Sequence, residues 1–124
     1  MSDEEFTHAL DAVLHDLRAQ SSVEPRLEED AEFGLVMYAH DGSGQGIVPP
    51  WDATPEERLA NLADQVQDWA VETLCSVGAP AVWPHCPEHP DNHPLTATVA
   101  DGTAIWACPK SGADFGRIGT LEQR

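Results

Sequence analysis

Two Cys-Pro steps constrain this chain more than any other feature: Cys86-Pro87 and Cys108-Pro109. Each opens a tight turn, because proline fixes φ and removes a backbone N–H. The N–H groups that follow are then free to turn toward the sulfur. The first turn, Cys86-Pro87-Glu88-His89, carries an imidazole three residues after the thiol. A tetrahedral metal site accepts both ligand types. The second turn reads Cys108-Pro109-Lys110-Ser111-Gly112. Between them, Leu95 to Trp106 sets β-branched residues on both sides of Asp101-Gly102, a strong hairpin signal. A hairpin of this length returns Cys108 close to Cys86.

The stretch from Trp83 to Gly112 therefore resembles the zinc-ribbon family, over about thirty residues. Its first knuckle is Cys-Pro-x-His, and its second is Cys-Pro-x-Ser-Gly where a ribbon carries Cys-Pro-x-Cys-Gly. The resemblance implies a structural Zn2+ and no reaction. The sequence departs from the family at His89 and Ser111. A serine hydroxyl is a poor structural zinc ligand, so a fourth ligand is needed. His93, four residues past His89 in a Pro-rich loop, is the best candidate. Asp114 is a weaker one, and His85 is expected to point away from its neighbour Cys86. The expected metal ligands are Cys86, His89, His93 and Cys108, with no catalytic or organic-cofactor residues. The competing reading is a metal-free ribbon whose thiols are buried as small hydrophobes.

Charge narrows the partners. The chain has 124 residues, 22 acids and 6 bases, for a formal net charge of −16. Such a surface repels nucleic-acid backbones and anionic membranes. It favours solubility and suits a basic protein partner. Residues 1–52 hold 12 acids against 2 bases, whereas Trp83–Gly112 holds 3 acids and 1 base, as a packed region should. The length suits one domain, 1–124, comprising an acidic helix-strand half over 1–52 and a helix plus ribbon-like hairpin over 53–124. Three cysteines, an odd number, and an acidic start point to a cytoplasmic protein. No apolar run approaches a membrane span. Oligomeric state is not legible.

Taken in order, Ser2 and Glu5 form a capping-box pattern before Phe6, Leu10, Val13, Leu14 and Leu17, one face of a helix over about 3–20. His8 and His15 flank that stripe as boundary residues. Ser21–Glu32 reads as a loop and Phe33–Ala39 as a central strand. His40-Asp41 invites general-base chemistry, but adjacent strand residues face opposite ways and no nucleophile stands beside them. The pair is read as a strand end and turn. Asp41–Gly46 is a flexible loop; no Gly-Lys-Ser/Thr follows, so it is no P-loop. Ile47-Val48 is expected to pair briefly with the strand. Thr54-Pro55-Glu56-Glu57 is the clearest helix start, and Leu59 to Val77 keeps helical spacing up to Gly78. Cys75 and Trp69 are assigned to the core. Ala81–Trp83 and Arg117–Leu121 read as short strands.

The expected fold is α+β: two amphipathic helices, a small mostly antiparallel sheet and a zinc-ribbon-like β-hairpin. The leading function is a small zinc-binding interaction module with a structural metal. The alternative is a metal-dependent hydrolase, in which Cys86, His89 and Cys108 bind zinc, Ser111 marks an open corner and Glu88 acts as base. No H-E-x-x-H or deaminase pattern supports it.

Overall fold

The computed structural model describes residues 3–51, 54–89 and 92–123. It contains two helices and two three-stranded antiparallel sheets, an α+β arrangement with two small sheets where the sequence suggested one. Helix α1 spans Asp3–Gln20 and buries Leu10, Val13, Leu14 and Leu17. Its expected cap, Ser2, lies outside the described residues. Helix α2 spans Pro55–Ser76; the Thr54 side chain accepts the Glu57 N–H at 3.1 Å, and Pro55 needs no such partner. Leu62, Ala63, Val66, Trp69, Ala70 and Leu74 form its buried stripe. The helices are pinned by Arg58, which donates from Nε and Nη2 to the two Glu5 carboxylate oxygens at 2.8 and 2.7 Å. That fork holds the Glu5 carboxyl below its usual range.

The first sheet runs β1 (Arg26–Asp30), β2 (Gly34–Tyr38), β3 (Gly44–Gly46), in that order. The loop expected over Ser21–Glu32 is thus corrected: β1 pairs with β2 along its whole length, from Arg26↔Tyr38 to Asp30↔Gly34. All five of its side chains are exposed, so its residues carry no alternation to read. Part of the expected Asp41–Gly46 loop is also strand. Gly44 is what permits it, because a Cβ there would lie 2.8 Å from the Tyr38 ring. Ile47 continues the pairing, its N–H donating to the Leu35 carbonyl at 2.9 Å. Asp41 caps the intervening turn by accepting the Ser43 hydroxyl and N–H.

The second sheet runs β4 (Thr96–Ala100), β5 (Thr103–Ala107), β6 (Asp114–Arg117). Asp101 and Gly102 both have positive φ, 51° and 74°, the type I′ geometry the Asp-Gly pair announces. Two further expectations are corrected. Ala81–Trp83 is not a strand; the pairing that follows it among the described residues is an isolated bridge, His85↔Pro94. The last strand also comes earlier than Arg117–Leu121, because Ile118–Leu121 turns back onto α1. Gly119 serves that approach: its φ is +103°, and a Cβ would stand 3.0 Å from that of Ala12.

One apolar cluster unites α1, α2, β2, β5 and the segment through Trp83 and Cys86. Trp83 and Trp106 meet edge to face with centroids 5.3 Å apart. Cys75 lies outside this cluster, exposed, correcting its expected burial. It sits about 100° around α2 from buried Leu74. Asp16 lies inside, fully buried. Its Oδ2 accepts Trp106 Nε1–H at 2.7 Å and the Gly119 N–H at 2.6 Å, and its Oδ1 accepts the Leu121 N–H at 3.0 Å. Its backbone carbonyl accepts Trp83 Nε1–H at 3.1 Å.

Asp16→Ala strands two buried donors, Trp106 Nε1–H and the Leu121 N–H, and the half-buried Gly119 N–H; a buried donor left unmade costs about 1–3 kcal/mol. Chemical denaturation is expected to show a loss of roughly 3–5 kcal/mol, with Asp16→Asn intermediate because an amide accepts on one side only. A loss below about 1 kcal/mol for Asp16→Ala would contradict this role.

Candidate metal centre

The two Cys-Pro turns close as their residues dictate. In the first, the His89 N–H donates to the Cys86 carbonyl at 3.0 Å. In the second, the Gly112 N–H donates to the Cys108 carbonyl at 2.8 Å, with Gly112 at φ +78°. The Ser111 N–H points at Cys108 Sγ, 3.4 Å away. The Ser111 side chain and then its amide, both beside the sulfur, hold the Cys108 thiol below its usual range, and the Lys110 amide adds to this. The Ser111 N–H makes the direct 3.4 Å approach, since the hydroxyl proton goes to Glu88. That lowering favours the thiolate, the form that binds metal.

The hairpin β4–β5 brings the turns together. Cys86, His89, His93 and Cys108 converge so that one donor atom from each lies within 4.8 Å of the others. Both sulfurs are buried and both imidazoles half-buried. His89 Nδ1 is the centre of the group: 3.8 Å from Cys86 Sγ, 3.9 Å from Cys108 Sγ and 3.0 Å from His93 Nε2. His93 Nδ1 lies 3.1 Å from the Pro94 carbonyl, which only accepts, so the ring donates there and its Nε2 offers a lone pair. One imidazole nitrogen makes one hydrogen bond. Three donor atoms gathered around it are not accounted for by hydrogen bonding alone. With Zn–S near 2.3 Å and Zn–N near 2.0–2.1 Å, a closed tetrahedron spaces its donors about 3.3–3.8 Å apart. The three approaches to His89 Nδ1 match those edges to within about half an ångström.

The remaining candidates are elsewhere. Ser111 is outside the group; its hydroxyl donates to Glu88 Oε1 at 2.7 Å, which joins the two knuckles at the surface. Asp114 accepts the Gly116 N–H. His85 makes the bridge to Pro94 through its backbone. His8 is exposed, and His15 lies against the Leu121 carbonyl at 3.1 Å, so neither joins the group. His40 is exposed while Asp41 caps its own turn.

Two residues that position the centre escaped the sequence reading. Gln67, buried on α2, donates from Nε2 to the carbonyls of Trp83 at 3.0 Å and Leu95 at 2.6 Å. It thereby grips both ends of the loop that carries Cys86, His89 and His93. The Leu95 N–H donates to the Pro84 carbonyl at 2.9 Å and closes the same neck. Asp16, through Trp83 and Trp106, holds the chain just before each cysteine. The available signal was the same for both: a polar residue on or beside an apolar helical stripe, Asp16 three residues after Val13 and Gln67 next to Val66.

No helix among the described residues is long and apolar enough to cross a membrane. Compared with models of protein families, with curated proteins and with solved structures, the chain matches none.

Proposed function

We propose that Cys86, His89, His93 and Cys108 bind one Zn2+ as a structural ion, in a small interaction module whose acidic half, residues 1–52, meets a basic protein partner. The observation that carries the metal reading is the convergence of two thiols and a second imidazole on His89 Nδ1. A shared cation gives that convergence a physical cause. Cysteine sulfur and imidazole nitrogen form a donor set suited to zinc. Four protein donors favour a closed structural ion over one with an open corner. Glu88, the base in a hydrolase reading, is instead held by the Ser111 hydroxyl on the surface. All three cysteines are free thiols, consistent with a reducing compartment and a cytoplasmic location. The interaction role rests on the surplus of 12 acids over 2 bases in residues 1–52, which suits fast, salt-sensitive association with a basic surface.

Elemental analysis is expected to give one zinc per chain. Free zinc about a thousandfold above Kd stabilises by about 4 kcal/mol, so a strong chelator should lower Tm by roughly 10–20 °C. Protein prepared without chelator that carries no zinc would overturn the metal reading.

Competition against a zinc indicator tests the fourth ligand. His93→Ala is expected to weaken zinc binding more than about tenfold, and Ser111→Cys to change it little. A silent His93→Ala with tighter binding by Ser111→Cys would show instead an open corner facing Ser111.

Zinc release on acidification tests the Cys108 environment. The lowered thiol pKa keeps the thiolate available to lower pH, so protons displace zinc only further down the scale. Ser111→Ala removes the side chain's share of the lowering, leaves the amide's, and raises that pKa. The pH of half-release should therefore move upward; an unchanged or lower value would contradict the assignment.

A further inference from the structure

We propose that the apolar groove between the start of α1, the β1–β2 hairpin and the segment Ile47–Pro49 docks a segment of a partner protein that combines bulky apolar side chains with Lys or Arg. This deepens the interaction reading above and rests on it. The groove encloses about 400 Å³. Phe6, Phe33, Leu35, Ile47, Val48 and Pro49 supply its apolar wall, and Asp3 and Glu29 its charged rim. Phe33 is 69 % exposed and Val48 63 %, in a chain whose other large apolar residues are mostly buried. Apolar surface left in water costs about 25 cal/mol per Å² relative to burial, so covering Phe33 and Val48 together favours an occupant with apolar side chains.

Charge selects the occupant. No Lys or Arg lines the groove. The two bases of the acidic half are engaged elsewhere, Arg18 with Glu24 and Arg26 with Glu28. Among the described residues, neither Asp3 nor Glu29 has an ion-pair partner. A second copy would bring a net charge of −16 against the same charge. A basic segment relieves the acidic field while one or two of its apolar side chains fill the groove. The apolar anchors then supply most of the affinity, and the rim sets the on-rate and specificity.

The probe is a random library of roughly twelve-residue peptides displayed on phage and selected on the full chain as purified without chelator. Enriched sequences are synthesised and their Kd measured by fluorescence anisotropy at low and high salt. The same measurement is made on Phe33→Ser/Val48→Ser and Asp3→Asn/Glu29→Gln, with zinc content and Tm recorded for each protein. Both pairs lie on the surface, so Tm should be retained. The expected peptides carry bulky apolar residues with Lys or Arg. The apolar pair should weaken them more than about tenfold. The rim pair should weaken them several-fold and flatten the salt dependence. Enrichment of no sequence, enrichment of acidic sequences, or equal binding to Phe33→Ser/Val48→Ser would overturn the groove. So would a native dimer in sedimentation that this variant abolishes, since the occupant would then be a second copy. One zinc per chain without peptide binding removes the groove alone; peptide binding by a chain that carries no zinc removes the metal reading alone.

Discussion

The carboxylate of Asp16 is the constraint on which the rest of the structure depends. A buried acid is costly unless its lone pairs are filled, and three N–H donors fill them here. Those donors come from β5 and from the turn after β6, while Trp83 bonds to the carbonyl of the same residue. One position on α1 thereby fixes three remote parts of the chain. Two of them are the tryptophans that precede the knuckles: Trp83 lies three residues before Cys86, and Trp106 two before Cys108. Their edge-to-face contact sets the spacing between the two approach segments. The approach of both knuckles thus depends on one helix residue outside the zinc-ribbon-like stretch, Asp16, through its backbone carbonyl for Trp83 and its carboxylate for Trp106.

Gln67 does for the loop what Asp16 does for the tryptophans. Its amide spans the carbonyls of Trp83 and Leu95, so α2 defines the width of the neck from which Cys86, His89 and His93 extend. Both residues place polar atoms in a densely apolar region, and among the described residues no buried side-chain nitrogen or oxygen lacks a partner. Satisfied polar groups of this kind give direction to a core that apolar packing alone would leave free to shift.

Legibility in the sequence followed how local each signal is. The start of α2 was readable because Thr54, Pro55 and Glu57 act within one turn. The β4–β5 hairpin was readable because Asp101-Gly102 dictates its own backbone. The gathering of Cys86, His89, His93 and Cys108 was readable because turn chemistry and hairpin length together bring them near. What failed depended on distant groups. β1 is Arg-Leu-Glu-Glu-Asp with every side chain in solvent, and only backbone pairing to β2 makes it a strand. Cys75 looks apolar by type, yet its angular position on α2 turns it outward. The last strand was placed late because Ile118 and Leu121 look strand-like, while the need of Asp16 for the Gly119 and Leu121 N–H groups bends that segment into a turn.

The neck of the metal loop also determines where an ion would contribute. Gln67, the Leu95 to Pro84 hydrogen bond and the His85↔Pro94 bridge fix the ends of the loop by protein contacts alone. Closing a loop whose ends are already held costs little further chain entropy, and a doubling of loop length adds only about 0.6 kcal/mol even for a free loop. Most of the ordering that remains lies in the side chains of His89 and His93 and in the hold of the loop on the second knuckle. Contacts that cross that gap among the described residues include the Glu88–Ser111 hydrogen bond, which is exposed to water, and the 3.9 Å approach of Cys108 Sγ to His89 Nδ1. An ion bound by all four donors would therefore act as a cross-link between two preformed turns, on a frame held chiefly by Asp16 and the two tryptophans.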